Sequence, residues 1–179
     1  MIRERIPYGL LENIHSYLGF VLPPTVYVAG GFIRSYYLNE LPKDMDLYFE
    51  SEKYIDSMRT VLISWGFFQT KDSGNAITMV SDFPWDSLPR KVQLCKNHYG
   101  TLESILDTFD FTICQIGVDG DEIVKCDSFD SDFLDRVGRY NIGCAFTSLK
   151  RLEKYQGKEF RFSGPEIEKG IGIIRRIGG

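Results

Sequence analysis

Apolar residues follow two different periodicities along the chain, and together they predict a protein built from both helices and strands. Helical spacing predicts helices over 7–18, 31–38, 51–66, 101–107, 130–137 and 147–155. Short apolar or alternating runs predict strands over 25–29, 44–49, 67–70, 76–80, 91–95, 109–118 and 122–126. The Pro-rich segment 81–90 separates two of these strands and is predicted to be a loop.

The stretch VYVAGGFIRSYYLNELPKDMDLYFE, residues 26–50, combines a strand, a glycine turn, a helix and a second strand that carries two acids. Side chains alternate between the two faces of a strand, so Asp44 and Asp46 are predicted to project side by side. Two neighbouring carboxylates repel each other unless a cation lies between them. Mg²⁺ commonly takes one or two carboxylates together with substrate phosphates, so this pair predicts a metal site.

The glycine turn lies just before the first helix of this stretch. Gly30 and Gly31 lack side chains and allow a ligand to approach the backbone, and the start of a helix favours anions. Arg34 follows one helical turn later, where its guanidinium group could reach a phosphate held at the turn. The alternatives for Arg34 are a surface position or an ion pair with one of the aspartates.

This arrangement resembles the nucleotidyltransferase superfamily, which includes DNA polymerase beta, poly(A) polymerases and CCA-adding enzymes. Members carry Gly-Gly or Gly-Ser after a hydrophobic residue, then Asp-hydrophobic-Asp about a dozen residues later. Here Ala29-Gly30-Gly31 precedes Asp44-Met45-Asp46, and the GGFIR stretch is most similar to the poly(A) polymerase and CCA-adding branch. The resemblance implies an α+β fold with a mixed β-sheet flanked by helices.

The resemblance also implies a third carboxylate between hydrophobic residues on a later strand. Asp110, between Phe109 and Phe111, matches that description, whereas Asp107 falls at the end of a predicted helix. Asp44, Asp46 and Asp110 would then be catalytic and would hold two Mg²⁺ ions, with Mn²⁺ as an alternative. The Gly30-Gly31 turn would bind the phosphates of an NTP.

The last predicted helix has an apolar stripe and a basic face formed by Lys150, Arg151 and Lys154. In the resembled enzymes a helix beyond the catalytic core contacts the nucleotide or the acceptor. Lys150 and Lys154 are therefore candidates for nucleotide binding, and the alternative is a solvated charged face. We expect a catalytic domain over 1–145, with residues 146–179 packed on it as a short helical appendage and tail.

Composition narrows the remaining choices. The net charge is −4 and the pI about 5.3, so no large basic surface for nucleic acid is indicated, although a local groove is compatible. The four cysteines form no CxxC pair and only two histidines are present, which argues against a zinc site and favours a reducing, cytoplasmic location. The sequence has no signal-peptide pattern and no apolar run long enough to span a membrane, so no membrane partner is expected.

The resemblance implies transfer of a nucleoside monophosphate from an NTP to an acceptor hydroxyl, with release of pyrophosphate. RNA ends, protein side chains and small hydroxyl compounds all remain open as acceptors. Two alternatives belong to other classes: a catalytically silent nucleotide-binding module of the same fold, and a metal-dependent nuclease.

Overall fold

The molecule is built on one mixed β-sheet. A computed structural model describes residues 1–86, 88–141 and 145–168, without the side chains of 145–150. The strands in chain order are β1 (Ile2–Arg5), β2 (Val26–Ala29), β3 (Met45–Phe49), β4 (Phe67–Asp72), β5 (Ala76–Trp85), β6 (Leu88–Tyr99), β7 (Ile116–Asp119) and β8 (Glu122–Lys125). They form an eight-stranded sheet in the order β1-β8-β7-β2-β3-β6-β5-β4. The β3–β6 pair is parallel and the other described pairs are antiparallel, which confirms the α+β fold with a mixed sheet.

Helices cover both faces of this sheet. The α-helices are α1 (Tyr8–Leu18), α2 (Gly31–Tyr37), α3 (Ile55–Ser64), α4 (Leu102–Leu106), α5 (Phe129–Leu134) and α6 (Ala145–Gln156), with 3₁₀ turns at Glu52–Tyr54 and Thr112–Cys114. None of the helices in the described ranges is long and apolar enough to cross a membrane.

Strand β3 lies at the centre of the sheet, between β2 and β6. Met45 and Leu47 are fully buried in the main core, because their face of the sheet is covered by α1, α2 and α3. Alternation along the strand places Asp46 on the opposite face. There Asp46 lies beside Ala29 of β2 and Gln93 of β6. The face of the sheet that carries Asp46, here called the acidic face, is therefore held in place by strand pairing on both sides of β3.

The acidic face has a smaller core of its own. Helix α4 packs Leu102, Ile105 and Leu106 against Tyr27 and the β2 strand. A third cluster joins the segment after α4 to the C-terminal part of the chain, through Phe111, Ile113, Cys114, Tyr155 and Phe160. Helix α6 therefore lies against the segment that contains Asp110.

The prediction of a loop over 81–90 is wrong. Strands β5 and β6 continue through this segment and pair as far as Trp85 and Leu88. The prolines are accommodated because Pro84 and Pro89 face each other beyond a register shift, where the regular ladder is already interrupted. The guanidinium group of Arg90 donates to the Phe83 carbonyl at 3.0 Å and supports the bent hairpin.

The prediction of one strand over 109–118 is also wrong. Thr112–Cys114 is a 3₁₀ turn, in which the Cys114 amide donates to the Phe111 carbonyl at 2.8 Å, and β7 begins only at Ile116. Asp110 thus precedes the turn instead of lying on a sheet strand. The sequence pattern also missed the edge strand β1, whose four residues are all exposed.

Candidate functional site

Asp44 and Asp46 lie together at the start of β3. Asp44 is half-exposed just before the strand, and Asp46 is the second residue of the strand. The Gln93 side-chain amide donates to Asp44 Oδ2 at 2.9 Å, and the Lys91 ammonium lies 3.4 Å from the same oxygen. Because Gln93 is the register partner of Asp46, these contacts place both carboxylates on one face of the sheet.

Burial and the neighbouring charge of Asp44 raise the pKa of Asp46 to about 6. The positive charges of Arg151, Lys154 and Lys91 act in the opposite direction and only partly offset this increase. In the described part of the chain, no group donates a hydrogen bond to the Asp46 carboxylate. A bound cation would stabilise the ionised form of such a group.

The donor set at this position fits a hard divalent cation. Asp44 and Asp46 supply the two carboxylates that Mg²⁺ commonly takes, and the remaining ligands would come from phosphates and water. Across residues 1–86, 88–141 and 145–168, no three histidine, cysteine or acidic side chains are grouped so as to hold a metal ion.

Asp110, the predicted third ligand, is buried and bonded to arginine. The Arg151 guanidinium donates to Asp110 Oδ1 at 3.1 Å, from a half-exposed position on α6. Asp110 has further interactions besides this one. To coordinate a metal ion, Asp110 would have to give up at least some of these contacts. Its assignment as a metal ligand therefore stays a prediction.

The glycine turn lies where β2 meets α2. Gly30 has a φ of 75°, a left-handed value that favours glycine, and its amide donates to the Ile116 carbonyl at 2.8 Å. A Cβ on Gly30 would lie 3.2 Å from the Phe109 ring, so space is restricted as well. Gly31 follows on the wall of a cavity, next to the Arg34 side chain.

This cavity has a volume of about 530 Å³, within the range of small-molecule sites. It lies between α2, the loop that leads to β3, and the C-terminal end of α6. Its lining consists of Gly31, Arg34, Ser35, Glu40, Leu41, Lys43, Asp44, Glu153, Lys154, Gly157 and Lys158. The structure thus brings the glycine turn, Arg34, Lys154 and one of the two paired aspartates to a single concave surface.

Arg34 is a buried cation in the cavity wall, 3% exposed. Its guanidinium group stacks over the Tyr155 ring at 4.7 Å, and its Nη1 contacts Cys114 Sγ at 3.5 Å. The Nε atom has no hydrogen-bond partner, and no carboxylate among the described residues lies within ion-pair distance. Burial of a charge is costly unless it is paired, so an anion in the cavity would stabilise Arg34.

The α6 side of the cavity adds more positive charge. Burial and the nearby Arg34 charge lower the pKa of Lys154, as expected where cations are crowded together. Lys158 forms an ion pair with Glu40 across the cavity. The Lys150 side chain lies outside the described residues, so the structure gives no position for this predicted nucleotide-binding group.

Several residues of the site were not found by sequence reasoning. No sequence motif marks Lys91, Gln93 or Lys158. These residues reach the site only through strand pairing and the packing of α6. Lys43, in the loop just before Asp44, also lines the cavity. A usable signal did exist for Gln93, because a polar residue between Val92 and Leu94 marks the uncovered face of a buried strand.

Solved structures of CCA-adding enzymes are similar to this fold. The Thermotoga maritima CCA-adding enzyme complexed with tRNA matches with a TM-score of 0.62 and 16% identity, over 95% of this chain and 45% of that chain. A CCA-adding enzyme in complex with CTP matches with a TM-score of 0.69 and 14% identity, over 98% and 47%. At such identities the likeness establishes the fold, which is the nucleotidyltransferase fold.

Sequence relatives give the family. The chain is 30% identical over 172 residues to Gabija anti-defense 2 of Bacillus phage SPbetaL7. The alignment covers 87% of this chain and 40% of that protein. It therefore spans less than half the length of this relative. The model of Gabija anti-defense 2 family proteins matches residues 10–136, a stretch that includes the glycine turn and all three predicted catalytic aspartates. Because this match covers well over half of the sequence, the chain belongs to the Gabija anti-defense 2 family.

Proposed function

We propose that this chain is a metal-dependent nucleotidyltransferase domain that transfers a nucleoside monophosphate from an NTP to an acceptor hydroxyl. The observation that carries the proposal is the unpaired, buried Arg34 in the wall of a cavity that also includes Asp44. An NTP combines a polyanion, which would pair with Arg34, and a bound divalent cation, which would be held by the aspartates.

Arg34 and Lys154 would bind the triphosphate, and Gly30 and Gly31 would let it approach the α2 turn. Lys150, on the same helix as Lys154, is proposed for the same role. These cations would also stabilise the charge that develops on the leaving pyrophosphate. The acceptor hydroxyl loses its proton to solvent water as its oxygen bonds to the α-phosphorus. The bond from that phosphorus to the bridging oxygen breaks, and pyrophosphate leaves with the electron pair.

Asp44 and Asp46 would hold Mg²⁺, with Mn²⁺ as an alternative, and Asp110 would join them if Arg151 released it. When bound, the ion supplies Lewis-acid stabilisation of phosphoryl charge. The rigid pairing of β3 with β2 and β6 would keep the two carboxylates in place. The buried Asp110–Arg151 pair would orient α6 over the site.

For the acceptor we propose an RNA end, with a protein side chain as the other candidate. The RNA proposal is supported by the fold shared with enzymes whose structures include tRNA. The family name links the chain to the countering of Gabija defence, so modification of a host component would be the biological outcome. A protein acceptor would then be a component of the defence system itself.

The contact of Arg151 with Asp110 favours a second candidate, a nucleotide-binding module without turnover. If Arg151 keeps Asp110 from the metal, the site retains a phosphate cradle and an aspartate pair but lacks the third ligand. Such a module would bind and sequester nucleotides. Both functions require nucleotide binding, and they differ in whether the α-phosphate becomes covalently attached to another molecule.

The deciding experiment is label transfer. The protein is incubated with Mg²⁺ and each α-labelled NTP, and a mixture of RNA and protein extract serves as acceptor. Asp46→Asn is the inactive comparison, and Asp72→Asn is a matched control, because Asp72 forms a surface ion pair with Lys96 away from the site. We expect labelled acceptor with the wild type and with Asp72→Asn. With Asp46→Asn the amount of labelled acceptor should fall at least about a hundredfold, because electrostatic stabilisation of the transition state is lost.

Binding of the same NTPs is measured in parallel by calorimetry. Nucleotide binding without label transfer would move the assignment to the binding module. Loss of acceptor nucleic acid in the presence of Mg²⁺ alone would instead indicate a nuclease. If Asp46→Asn transferred label as well as the wild type, the assignment of the aspartate pair would be wrong.

A further inference from the structure

Strand β6 contributes two polar side chains to the acidic face of the sheet. The parallel register pairs Met45 with Val92 and Asp46 with Gln93. Val92 is buried in the main core with Met45, so Lys91 and Gln93 project to the other side, where Asp44 and Asp46 lie. The residues facing the aspartate pair from the neighbouring strand are thus a cation and an amide.

Both side chains make contact with the same atom. Gln93 donates to Asp44 Oδ2 at 2.9 Å, and the Lys91 ammonium lies 3.4 Å from that oxygen. An amide nitrogen and an ammonium are donors and cannot bind a metal ion. The β6 side of Asp44 is therefore closed to a cation, while Asp44 Oδ1 and the Asp46 carboxylate have no donor from β6.

The negative charge of Asp44 and Asp46 is partly offset by cations of the protein itself. Lys91 on β6 and Arg151 and Lys154 on α6 each act on the Asp46 charge. In a site with two divalent ions, much of this positive charge would come from the second ion.

We propose that Lys91 and Gln93 convert the aspartate pair into a site for a single divalent cation, the one that accompanies the nucleotide. This inference rests on the proposed function, because it presumes that the cavity binds an NTP. The Lys91 ammonium and the Gln93 amide both contact Asp44 Oδ2, which leaves fewer carboxylate oxygens for a second ion. A second ion would also have to overcome repulsion from the ammonium a few Å away.

Ion counting tests this proposal directly and does not depend on turnover. The wild-type protein is loaded with the α,β-methylene analogue of ATP or CTP, in which the scissile bond is replaced. Mn²⁺ is then titrated, and electron paramagnetic resonance measures the free ion. Lys91→Met removes the ammonium, and Gln93→Glu replaces the amide with a third carboxylate. Lys96→Met is the matched control, because Lys96 lies on the same strand but pairs with Asp72.

We expect one tightly bound Mn²⁺ per complex for the wild type and for Lys96→Met. Lys91→Met should strengthen the binding of a second Mn²⁺ on the order of tenfold, from the loss of one nearby unit charge. Gln93→Glu should also bind a second ion, which keeps the test informative if Lys91→Met fails to fold.

Two Mn²⁺ ions of similar affinity in the wild-type complex would overturn the single-ion proposal and leave the nucleotidyltransferase proposal intact. One ion in both Lys91→Met and Gln93→Glu would also overturn it, since neither residue would then set the count. Calorimetry measures binding of the analogue to the folded wild type, first without Mn²⁺ and then with it. If no binding is found in either case, the proposed function is overturned and this inference with it.

Discussion

Asp46 is held in a position that its own charge disfavours. It is largely removed from water, lies next to Asp44, and receives no hydrogen bond in the described part of the chain. Proteins retain such groups where a ligand gains from them, because the cost to stability is offset only when the ligand is bound. The free energy of unfolding should therefore increase when this charge is removed.

Asp46→Asn should raise the free energy of unfolding by about 2–3 kcal/mol in EDTA at pH 7.5. This figure follows from the difference between the pKa of Asp46 in the folded chain, about 6, and its ordinary value of 3.8. The folded state holds the proton more tightly than the unfolded state, so the wild type loses stability as the pH rises from about 4 to 6. The difference between variant and wild type should be small near pH 4 and constant above pH 7.

Urea unfolding at several pH values measures this difference. Asp72→Asn, which removes an exposed acid of a surface ion pair, should change stability by less than about 0.5 kcal/mol at every pH. A pH-independent effect of Asp46→Asn would mean that its charge is already neutralised by the surrounding cations.

Helix α6 is the element that brings positive charge to the site, and Tyr155 docks it. The Tyr155 ring is buried against Phe111 and Phe160, its hydroxyl accepts from Cys114 Sγ at 3.1 Å, and its face covers Arg34. The position of α6 and the orientation of Arg34 thus depend on one side chain. Loss of this contact should affect stability and anion binding together.

Tyr155→Ala should lower the free energy of unfolding by roughly 3–5 kcal/mol, as expected for loss of a large buried aromatic residue. Where the protein stays folded, its affinity for an NTP should fall at least tenfold, because Arg34 and Lys154 lose their positions. Leu134→Ala on α5 is the control, since Leu134 is exposed and should have little effect on either quantity. Tight NTP binding by folded Tyr155→Ala would show that α6 is not part of the nucleotide site.

The element scale also shows where sequence reasoning succeeds and fails. The β2–turn–α2–β3 stretch was predictable because its strand and helix periods are local and its two acids lie two residues apart at the start of one short strand. The 81–90 and 109–118 segments were not, because their conformations depend on distant partners. Pro84 pairs with Pro89 on the neighbouring strand, and the Thr112 amide donates to the Arg139 carbonyl at 3.1 Å.

The site itself was predictable only in part. The motif located Asp44, Asp46 and the glycine turn, and the helical offset placed Arg34 near them. Nothing in the local pattern indicates that Arg151 binds Asp110 or that Gln93 binds Asp44, since these pairs are far apart in sequence and meet through packing. Side-chain partners of buried charges require the tertiary structure.

At the scale of the whole molecule, the cavity joins parts of the chain that are far apart in sequence. Its wall runs from Gly31 and Arg34 on α2 to Lys154 on α6 and Lys158 just beyond it. A ligand that bridges these parts should stabilise the entire domain, because unfolding of either wall would release it.

An NTP with Mg²⁺ at about 100 times its Kd should raise the thermal midpoint by roughly 5–10 °C, which corresponds to about 2.7 kcal/mol of ligand binding. Arg34→Met should abolish most of the increase, and EDTA should reduce it. Arg5, on the exposed edge strand β1, offers a control in Arg5→Met, which should respond to NTP as the wild type does. Differential scanning fluorimetry is sufficient, and an unchanged response of Arg34→Met would remove the phosphate role of Arg34.

The Gln93 contact with Asp44 has a consequence for how this site changes over generations. Codons for glutamine and glutamate differ only in their first base, so one point mutation places a third carboxylate beside the aspartate pair. No rearrangement of the backbone is needed, because the side chain already lies in register with Asp46. Relatives of this chain that share the site can therefore gain an acidic ligand through a single base substitution.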